Sequence, residues 1–545
     1  MISMTRLFTR LSSVEKKTFT EKSRRVQVAS ILARFLVVVI SLSCAHAQQA
    51  ARITVYGDQS GPRVNREIFS QFAEQLGSGI YGGLWVGPSS SIPNIHGYRK
   101  DVIDALRDLH VPAVRWPGGC YADQYHWRDG IGPREKRPVR YRRGGNDTNS
   151  VGTHEFMDFL DLIGAKAYLS ADVGNATPQE TVDWMEYMLA PRGTTLSNER
   201  AANGHPDPWQ VPYLGIGNEL WGCGGHMSAE HAADVINQYT TFLHASRGKP
   251  FMKIAAGADR GDYHWTETVM REAGPQIDGL ALHFYTYLHH AGHEGVGTGY
   301  GEKGAAVGFD EKDWASTLAY TFGMDDLIAK HAAIMDKYDP EKRVWLAVDE
   351  WGAWYKPDGV HAASSLYQEN TIRDALIAAI NLNIFVKHAD RVKLTAIAQM
   401  INVLQAMLLT DGPRMVKTPT YWVYEMYRPW QDATSLPIEV HSEDYAFGGE
   451  KMPEVSASAV RDKSGKIHIA LTNQNPNLSV KLLLKINSSV PGSVTGRILT
   501  APNIDSRNTF EHPDAVKPVV MQGITQTGDT LSLTLPPKSV SVLSL

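Results

Sequence analysis

The sequence predicts an α/β fold: a (β/α)8 TIM barrel followed by a C-terminal antiparallel β-sandwich of jelly-roll-like character. Three observations predict it. Eight short apolar runs recur between residues 67 and 400, most of them followed by a helical pattern. After about Trp430 the helical period gives way to short alternating segments separated by polar turns. The chain has 545 residues, 43% of them hydrophobic, which suits one large and one small domain, each with its own core.

The first element in order is an export signal over residues 1–47. Basic residues up to Arg34 precede the apolar run Phe35–Leu42, and Ala45-His46-Ala47 offers a small-x-small cleavage site. The run is too short for a membrane span, so a periplasmic or extracellular protein without stable membrane association is expected. Cys44 leaves a lipoprotein alternative open, although Ser41 stands where a large aliphatic residue is usual. Residues 48–64 contain the strand-like Ala51–Tyr56, expected to join the C-terminal sandwich.

Residues 65–429 are expected to form the barrel. Its strands are read at Glu67–Glu74, Pro112–Trp116, Ala165–Val173, Pro212–Asn218, Met252–Ala258, Gly279–Tyr285, Val344–Glu350 and Lys393–Met400. Helical patterns between them include Gly97–Leu109, Thr153–Ile163, Pro178–Leu189, Ser228–Ser246, Ala315–Lys337 and Leu366–His388. Thr177 can cap the helix that opens at Pro178, and Ser228 the one with Glu230 close behind. Residues 430–545 are expected to form the sandwich. Segments such as Glu454–Val460, Lys466–Thr472, Ser479–Ile486, Val494–Leu499 and Thr530–Leu535 alternate, with turns such as Asp462-Lys463-Ser464-Gly465 between them.

Residues 1–47 carry a net charge of +6, which leaves −10 on the remainder. An acidic chain argues against nucleic acid as the main partner, because phosphate binding needs a basic surface. It is compatible with a neutral polysaccharide. Beyond residue 47 only Cys120 and Cys223 remain. Two cysteines neither make a disulfide scaffold nor have metal-site spacing, and either free thiols or a bridge would fit. His283, His289, His290 and His293 lie near one another in sequence but lack a compact ligand pattern. A mobile polar loop is the simpler reading, and no metal and no cofactor are expected.

In a barrel of this kind the active site lies at the C-terminal ends of the strands. Glu74, Arg115, Asn175, Asn218 with Glu219, His283 with Tyr285, Glu350, and Asn402 with Gln405 end or follow seven of the eight strands. Two ends stand out. Gly215-Ile216-Gly217-Asn218-Glu219 and Val348-Asp349-Glu350-Trp351-Gly352 are apolar runs that each reach a glutamate. A carboxylate there costs desolvation energy unless hydrogen bonds or a positive charge compensate. Two such glutamates, 131 residues apart, suggest the carboxylate pair that glycoside hydrolysis needs. One protonates the leaving oxygen; the other attacks, or stabilises, the sugar cation. Blander readings exist: a structural salt bridge for either glutamate, a buried-acid partner for Arg115, a satisfied core position for His283. Trp127, Trp221 and Trp354 could stack on sugar faces, although most tryptophans are core or interface.

Longer motifs surround these residues. They include Phe72-Ala73-Glu74-Gln75-Leu76-Gly77, Arg115-Trp116-Pro117-Gly118-Gly119-Cys120-Tyr121-Ala122-Asp123 and Tyr125-His126-Trp127-Arg128-Asp129-Gly130-Ile131-Gly132-Pro133-Arg134. Further along come Gly217-Asn218-Glu219-Leu220-Trp221-Gly222-Cys223-Gly224-Gly225, His283-Phe284-Tyr285, Asp349-Glu350-Trp351-Gly352 and Asn402-Val403-Leu404-Gln405-Ala406-Met407. With these motifs, from about Ile53 to Tyr427, the sequence resembles the retaining α-L-arabinofuranosidases of glycoside hydrolase family 51. The resemblance implies a barrel plus β-sandwich. It also implies Glu219 as general acid/base, Asn218 beside it on the sugar 2-hydroxyl, and Glu350 as nucleophile. Glu74, Arg115, Cys120, Tyr285 and Gln405 would line the arabinofuranosyl pocket, with His283 and Trp354 as further binding candidates. A homo-oligomer, hexameric in that family, is implied as well. Leu220 stands where Asn is expected, and Gln75 and Gln124 where His and Glu are common; these bear on fine substrate preference.

The expected function is removal of terminal α-L-arabinofuranosyl groups from arabinoxylan, arabinan or their oligosaccharides by double displacement. The rival readings are another retaining glycosidase of similar barrel, acting on xylosyl or glucosyl linkages, a non-catalytic carbohydrate-binding protein, and a metal-dependent hydrolase.

Overall fold

The computed structural model describes residues 51–142, 145–245, 249–288, 303–488 and 494–545. The segment read as an export signal, and His289, His290 and His293, lie outside them. Eight strands close a barrel: β1 Ser70–Phe72, β2 Ala113–Trp116, β3 Lys166–Ala171, β4 Tyr213–Ile216, β5 Met252–Asp259, β6 Gly279–Thr286, β7 Trp345–Ala353 and β8 Val392–Ile397. Each pairs in parallel with the next, and β8 returns to β1 through Ala396 with Ser70 and Ile397 with Gln71. Parallel strands with both faces covered need continuous apolar runs rather than alternation, which is why these segments stood out in the sequence. Ala113, Tyr168, Tyr213, Ile254, Ala281, Ala347 and Leu394 fill one part of the barrel interior.

Helices shield the outside, and their starts follow from capping. The Thr177 hydroxyl accepts from the Glu180 amide and the Ser228 hydroxyl from the His231 amide, opening Pro178–Leu189 and Ala229–Phe242. The helix expected from Ala315 begins earlier, at Glu311, because Asp310 accepts from the Asp313 amide. The strand expected from Glu67 begins only at Ser70. Arg66–Phe69 is a 3-10 turn, and the buried Glu67 carboxylate is drawn to Lys166 Nζ at 2.5 Å. Helix Ile372–Lys387 is buried on nearly every face. It lies between the barrel and the sandwich strands, so it reads as apolar all round rather than amphipathic.

The C-terminal part holds two facing sheets. One orders Ile438–His441, Ala51–Val55, Val480–Ile486, Thr530–Leu535 and Thr525–Thr527. The other orders Thr434–Leu436, Val455–Arg461, Ile467–Asn473, Ser539–Ser544, Thr495–Leu499 and Val519–Val520. Val480–Ile486 alternates buried and exposed residues along its length, the mark of a strand with one wet face. Ile53, Leu482 and Leu484 from the first sheet meet Ile469, Leu471 and Leu543 from the second in a shared core. Most pairings are antiparallel; Ala51–Val55 runs parallel to Val480–Ile486. Hydrogen bonds from Trp314 Nε1 to the Gln474 carbonyl (2.9 Å) and from Trp430 Nε1 to Ser458 Oγ (3.1 Å) join this part to the barrel. Among the described residues no helix is long and apolar enough to cross a membrane.

Candidate active site

The strand ends open into a cavity of about 150 Å³ lined by Glu74, Gly119, Cys120, Glu219, Tyr285, Glu350, Trp354 and Gln399, among others. Glu350 lies within β7. Its Oε1 accepts from Arg115 Nη1 at 2.7 Å, and its Oε2 from the Tyr285 hydroxyl at 2.8 Å. A guanidinium and a phenol therefore both donate to this carboxylate and fix its orientation. Burial raises the Tyr285 pKa, as do Glu350 and Glu219, so the phenol keeps its proton and remains a donor.

Glu219 follows β4 at φ +40, a left-handed backbone that costs a non-glycine residue about 1–3 kcal/mol. The tight turn after it holds that conformation, since its carbonyl accepts from the Gly222 amide (2.7 Å) and the Gly224 amide (3.0 Å). Burial raises the Glu219 pKa, and the nearby Glu350 adds to the rise, although His283 opposes it. A carboxylate oxygen of Glu219, one of Glu350 and a ring nitrogen of His283 lie within 4.8 Å of one another. The two carboxyls thus face a common gap. Glu350 is held by two donors, and Glu219 is biased toward its proton.

His283 sits beneath them rather than on the cavity wall. Its Nδ1 is 3.0 Å from Glu219 Oε1 and 3.6 Å from Glu350 Oε2, and its Nε2 is 3.3 Å from Asp349 Oδ1. Burial alone would lower its pKa; the carboxylates of Glu350, Asp349 and Glu219 outweigh burial and hold it well above the ordinary range. Held protonated, the ring points Nδ1 at Glu219 and Nε2 toward Asp349. Asp349 faces the other way, to the Tyr168 hydroxyl (2.7 Å) and Arg115 Nε (3.3 Å). Burial would raise its pKa, but Arg115 and His283 hold it below the usual value.

This buried cation makes a prediction. His283→Asn removes a positive charge beside both carboxylates, and loss of a nearby cation raises a carboxylate pKa. The limb of the kcat/KM pH profile that reports Glu219 is expected to move to higher pH. An unmoved limb would mean that His283 is neutral at work.

The remaining residues divide into those at the cavity and those behind it. Glu74 Oε1 accepts from the Tyr121 amide and Oε2 from Gln399 Nε2, both at 3.0 Å. Burial and the Glu350 charge push its pKa up to about 7. Asn218 is buried; its Oδ1 accepts from Arg115 Nη2 at 2.8 Å. Trp354 lines the cavity and meets Tyr285 edge-on at 5.0 Å. Cys120 lines it too, bonded as a disulfide to Cys223. Gln405 is set back from the cavity: its Oε1 accepts from the Ala353 amide (2.8 Å), and its Nε2 donates to the Asp374 carbonyl (2.7 Å). Gln399, which the sequence reading passed over, stands at the wall instead; the only signal for it was a polar residue just past β8. Asp349 was also passed over, hidden by the adjacent Glu350. Asn402 bonds Ser78 and Thr410, and the Asn175 amide donates to Asp172, so both serve loops. Of the tryptophans, Trp127 is core and Trp221 donates to the Gly257 carbonyl.

Backbone clearance matters as much as side chains. A Cβ at Gly119 would lie 2.8 Å from Glu350 Oε1 and 3.3 Å from Phe72 Cζ. Gly119→Ala is therefore expected to displace Glu350 and lower kcat by about 10²-fold, since small misplacements of a reacting group cost that much. Steady-state kinetics beside a thermal melt would check it; wild-type kcat would refute it.

The chain matches two family models, the α-L-arabinofuranosidase 1 domain over residues 105–287 and the α-L-arabinofuranosidase C-terminal domain over residues 349–539. An intracellular exo-α-L-arabinofuranosidase of Bacteroides ovatus is 44% identical over 94% of this chain and 98% of its own length. The crystal structure of the GH51 arabinofuranosidase from Xanthomonas axonopodis pv. citri superposes with a TM-score of 0.88 at 49% identity, covering 91% of this chain and 99% of that one. The arabinose complex of the Thermotoga maritima α-L-arabinofuranosidase has a TM-score of 0.79 at 28% identity, covering 91% and 100%. One expectation is corrected here. The Bacteroides relative, similar over nearly its whole length, is named intracellular, which contradicts the export read from residues 1–47. A basic stretch before a short apolar run is a pattern of composition, and such a pattern does not by itself fix a destination.

Proposed function

The chain belongs to the α-L-arabinofuranosidases of glycoside hydrolase family 51, and from that premise we propose that it releases terminal non-reducing α-L-arabinofuranosyl residues from arabinoxylan, arabinan or derived oligosaccharides by double displacement. The observation that carries this reading is the approach of Glu219 and Glu350 to within 4.8 Å across a small cavity. Retaining glycosidases hold their carboxyls about 5–5.5 Å apart, whereas inverting enzymes need about 6.5–9.5 Å to admit a water. The cavity's volume suits one sugar ring rather than a run of them, in keeping with exo action and with the arabinose bound by the Thermotoga relative.

In the first step Glu219 gives its proton to the glycosidic oxygen while Glu350 attacks the anomeric carbon. Arg115 and Tyr285 hold Glu350 in place through two hydrogen bonds. Once Glu350 is esterified its charge is gone, and with it one of the influences that raise the Glu219 pKa. Glu219, now a carboxylate beside the His283 imidazolium, takes a proton from the water that attacks the intermediate. Glu74 and Gln399 stand at the wall where sugar hydroxyls would bind.

The test is the configuration of the first-formed product from an aryl α-L-arabinofuranoside, read by NMR before mutarotation. Retained α-arabinose is expected. An initial β-anomer, or no release of arabinose at all, would overturn the reading.

A further inference from the structure

The Cys120–Cys223 disulfide has no task in the reaction above. It lies against the group assigned as acid/base: Cys223 Sγ is 3.4 Å, and Cys120 Sγ 3.8 Å, from Glu219 Oε2. Cys223 is exposed and Cys120 half-buried at the cavity, so small reductants and ions reach the bridge. The two sulfurs and a Glu219 oxygen all fall within 4.8 Å of one another. A point equidistant from three such atoms matches zinc, which takes thiolate at about 2.3 Å and carboxylate at about 2.0–2.2 Å. The Cα atoms are 5.6 Å apart, and only the sulfurs need to part, to about 3.7 Å for a tetrahedral ion. The fourth position would face the cavity.

We propose that reduction of this bridge turns it into a binding site for a thiophilic divalent cation such as Zn²⁺, held by Cys120, Cys223 and Glu219, and that the bound ion silences the enzyme. A phosphine reductant and one water take the disulfide to two thiols and a phosphine oxide. Zn²⁺ then displaces both thiol protons to solvent, accepting electron pairs from two thiolates and one carboxylate oxygen. With Glu219 engaged, it can neither protonate a basic leaving group nor take the proton from the water of the second step, so turnover stalls on aryl substrates as well. The silencing rests on Glu219 acting as the acid; the binding does not. Intact, the bridge has no thiolate to offer, so the oxidised protein lacks this site. Glu219, His283 and Glu350 also converge, but that trio is the same in both redox states.

The experiment compares the purified full chain, oxidised and phosphine-reduced, titrated with ZnCl₂. Bound zinc is counted with a chromogenic chelator, and turnover is followed on an aryl arabinofuranoside. Reduction is expected to add one zinc per chain and to lower the inhibitory zinc concentration by about tenfold or more, with EDTA restoring activity. Cys223→Ala and, separately, Cys120→Ala should lose both the added zinc and the added sensitivity. Equal zinc binding in the two redox states would overturn the site, as would added zinc retained by either alanine variant. Added zinc with undiminished turnover would overturn ligation by Glu219. Absence of any arabinofuranosidase activity would instead fail the functional reading, and the zinc count would still test the site.

Discussion

Glu350→Ala is expected to lose turnover on every arabinofuranoside, by at least about 10⁴-fold, whatever the leaving group. In the proposed mechanism the missing carboxylate is the attacking group, and no neighbour is placed to replace it. Glu74 is tied to the Tyr121 amide and Gln399, and its raised pKa of about 7 leaves much of it protonated at neutral pH. The variant should still fold, because Arg115 keeps Asp349 at 3.3 Å and Asn218 at 2.8 Å. A thermal melt would check that. The diagnostic arm adds azide. In the space Glu350 vacates, azide attacks the face it normally attacks, so the expected product is the arabinosyl azide of inverted configuration. An azide product of retained configuration would show that the nucleophile has been misassigned.

The second large effect belongs to Glu219, and its size should depend on the substrate. In the proposed mechanism Glu219→Ala removes general acid assistance, worth about 10²–10⁴-fold. Substrates with acidic phenol leaving groups need little protonation, so their first step should survive and an intermediate should accumulate. Natural sugar leaving groups are basic, and the full deficit is expected there. A plot of log kcat/KM against leaving-group pKa should therefore steepen in the variant. Azide should here restore turnover with retained configuration, since it reaches the intermediate through the space of the missing base. Equal losses across all leaving groups would mean that Glu219 does not donate the proton. Single-turnover measurements on a short aryl glycoside series would decide it.

The site was partly legible before any coordinates. Glu219 and Glu350 stood out because a charged group ending an apolar run is a local anomaly, visible without knowing what lies opposite. Arg115, Glu74 and Tyr285 stood out as charged or polar groups ending other strands. Gln405 and Gln399 show the limit. Both follow β8 within a few residues, and only the course of that loop turns Gln399 to the cavity and Gln405 to the Asp374 carbonyl. His283 was legible as a strand-end residue, but its three carboxylate neighbours come from loops or strands far away in the chain. The start of β1 was misplaced because the pairing of Glu67 with Lys166 crosses 99 residues. The N-terminal reading, built on composition, did not survive comparison with a near full-length relative.

By itself the sequence determined the eight strand–helix units, the presence of a strand-rich C-terminal part, and which strand ends carry charge. Those properties are periodic or local, set by what each segment must bury. Only the tertiary structure decided the approach of Glu219 to Glu350, the buried His283 ring set among three acids, and the joining of Cys120 to Cys223. Each depends on distances of 2–5 Å between residues from different strands and loops, and closing the barrel sets those distances.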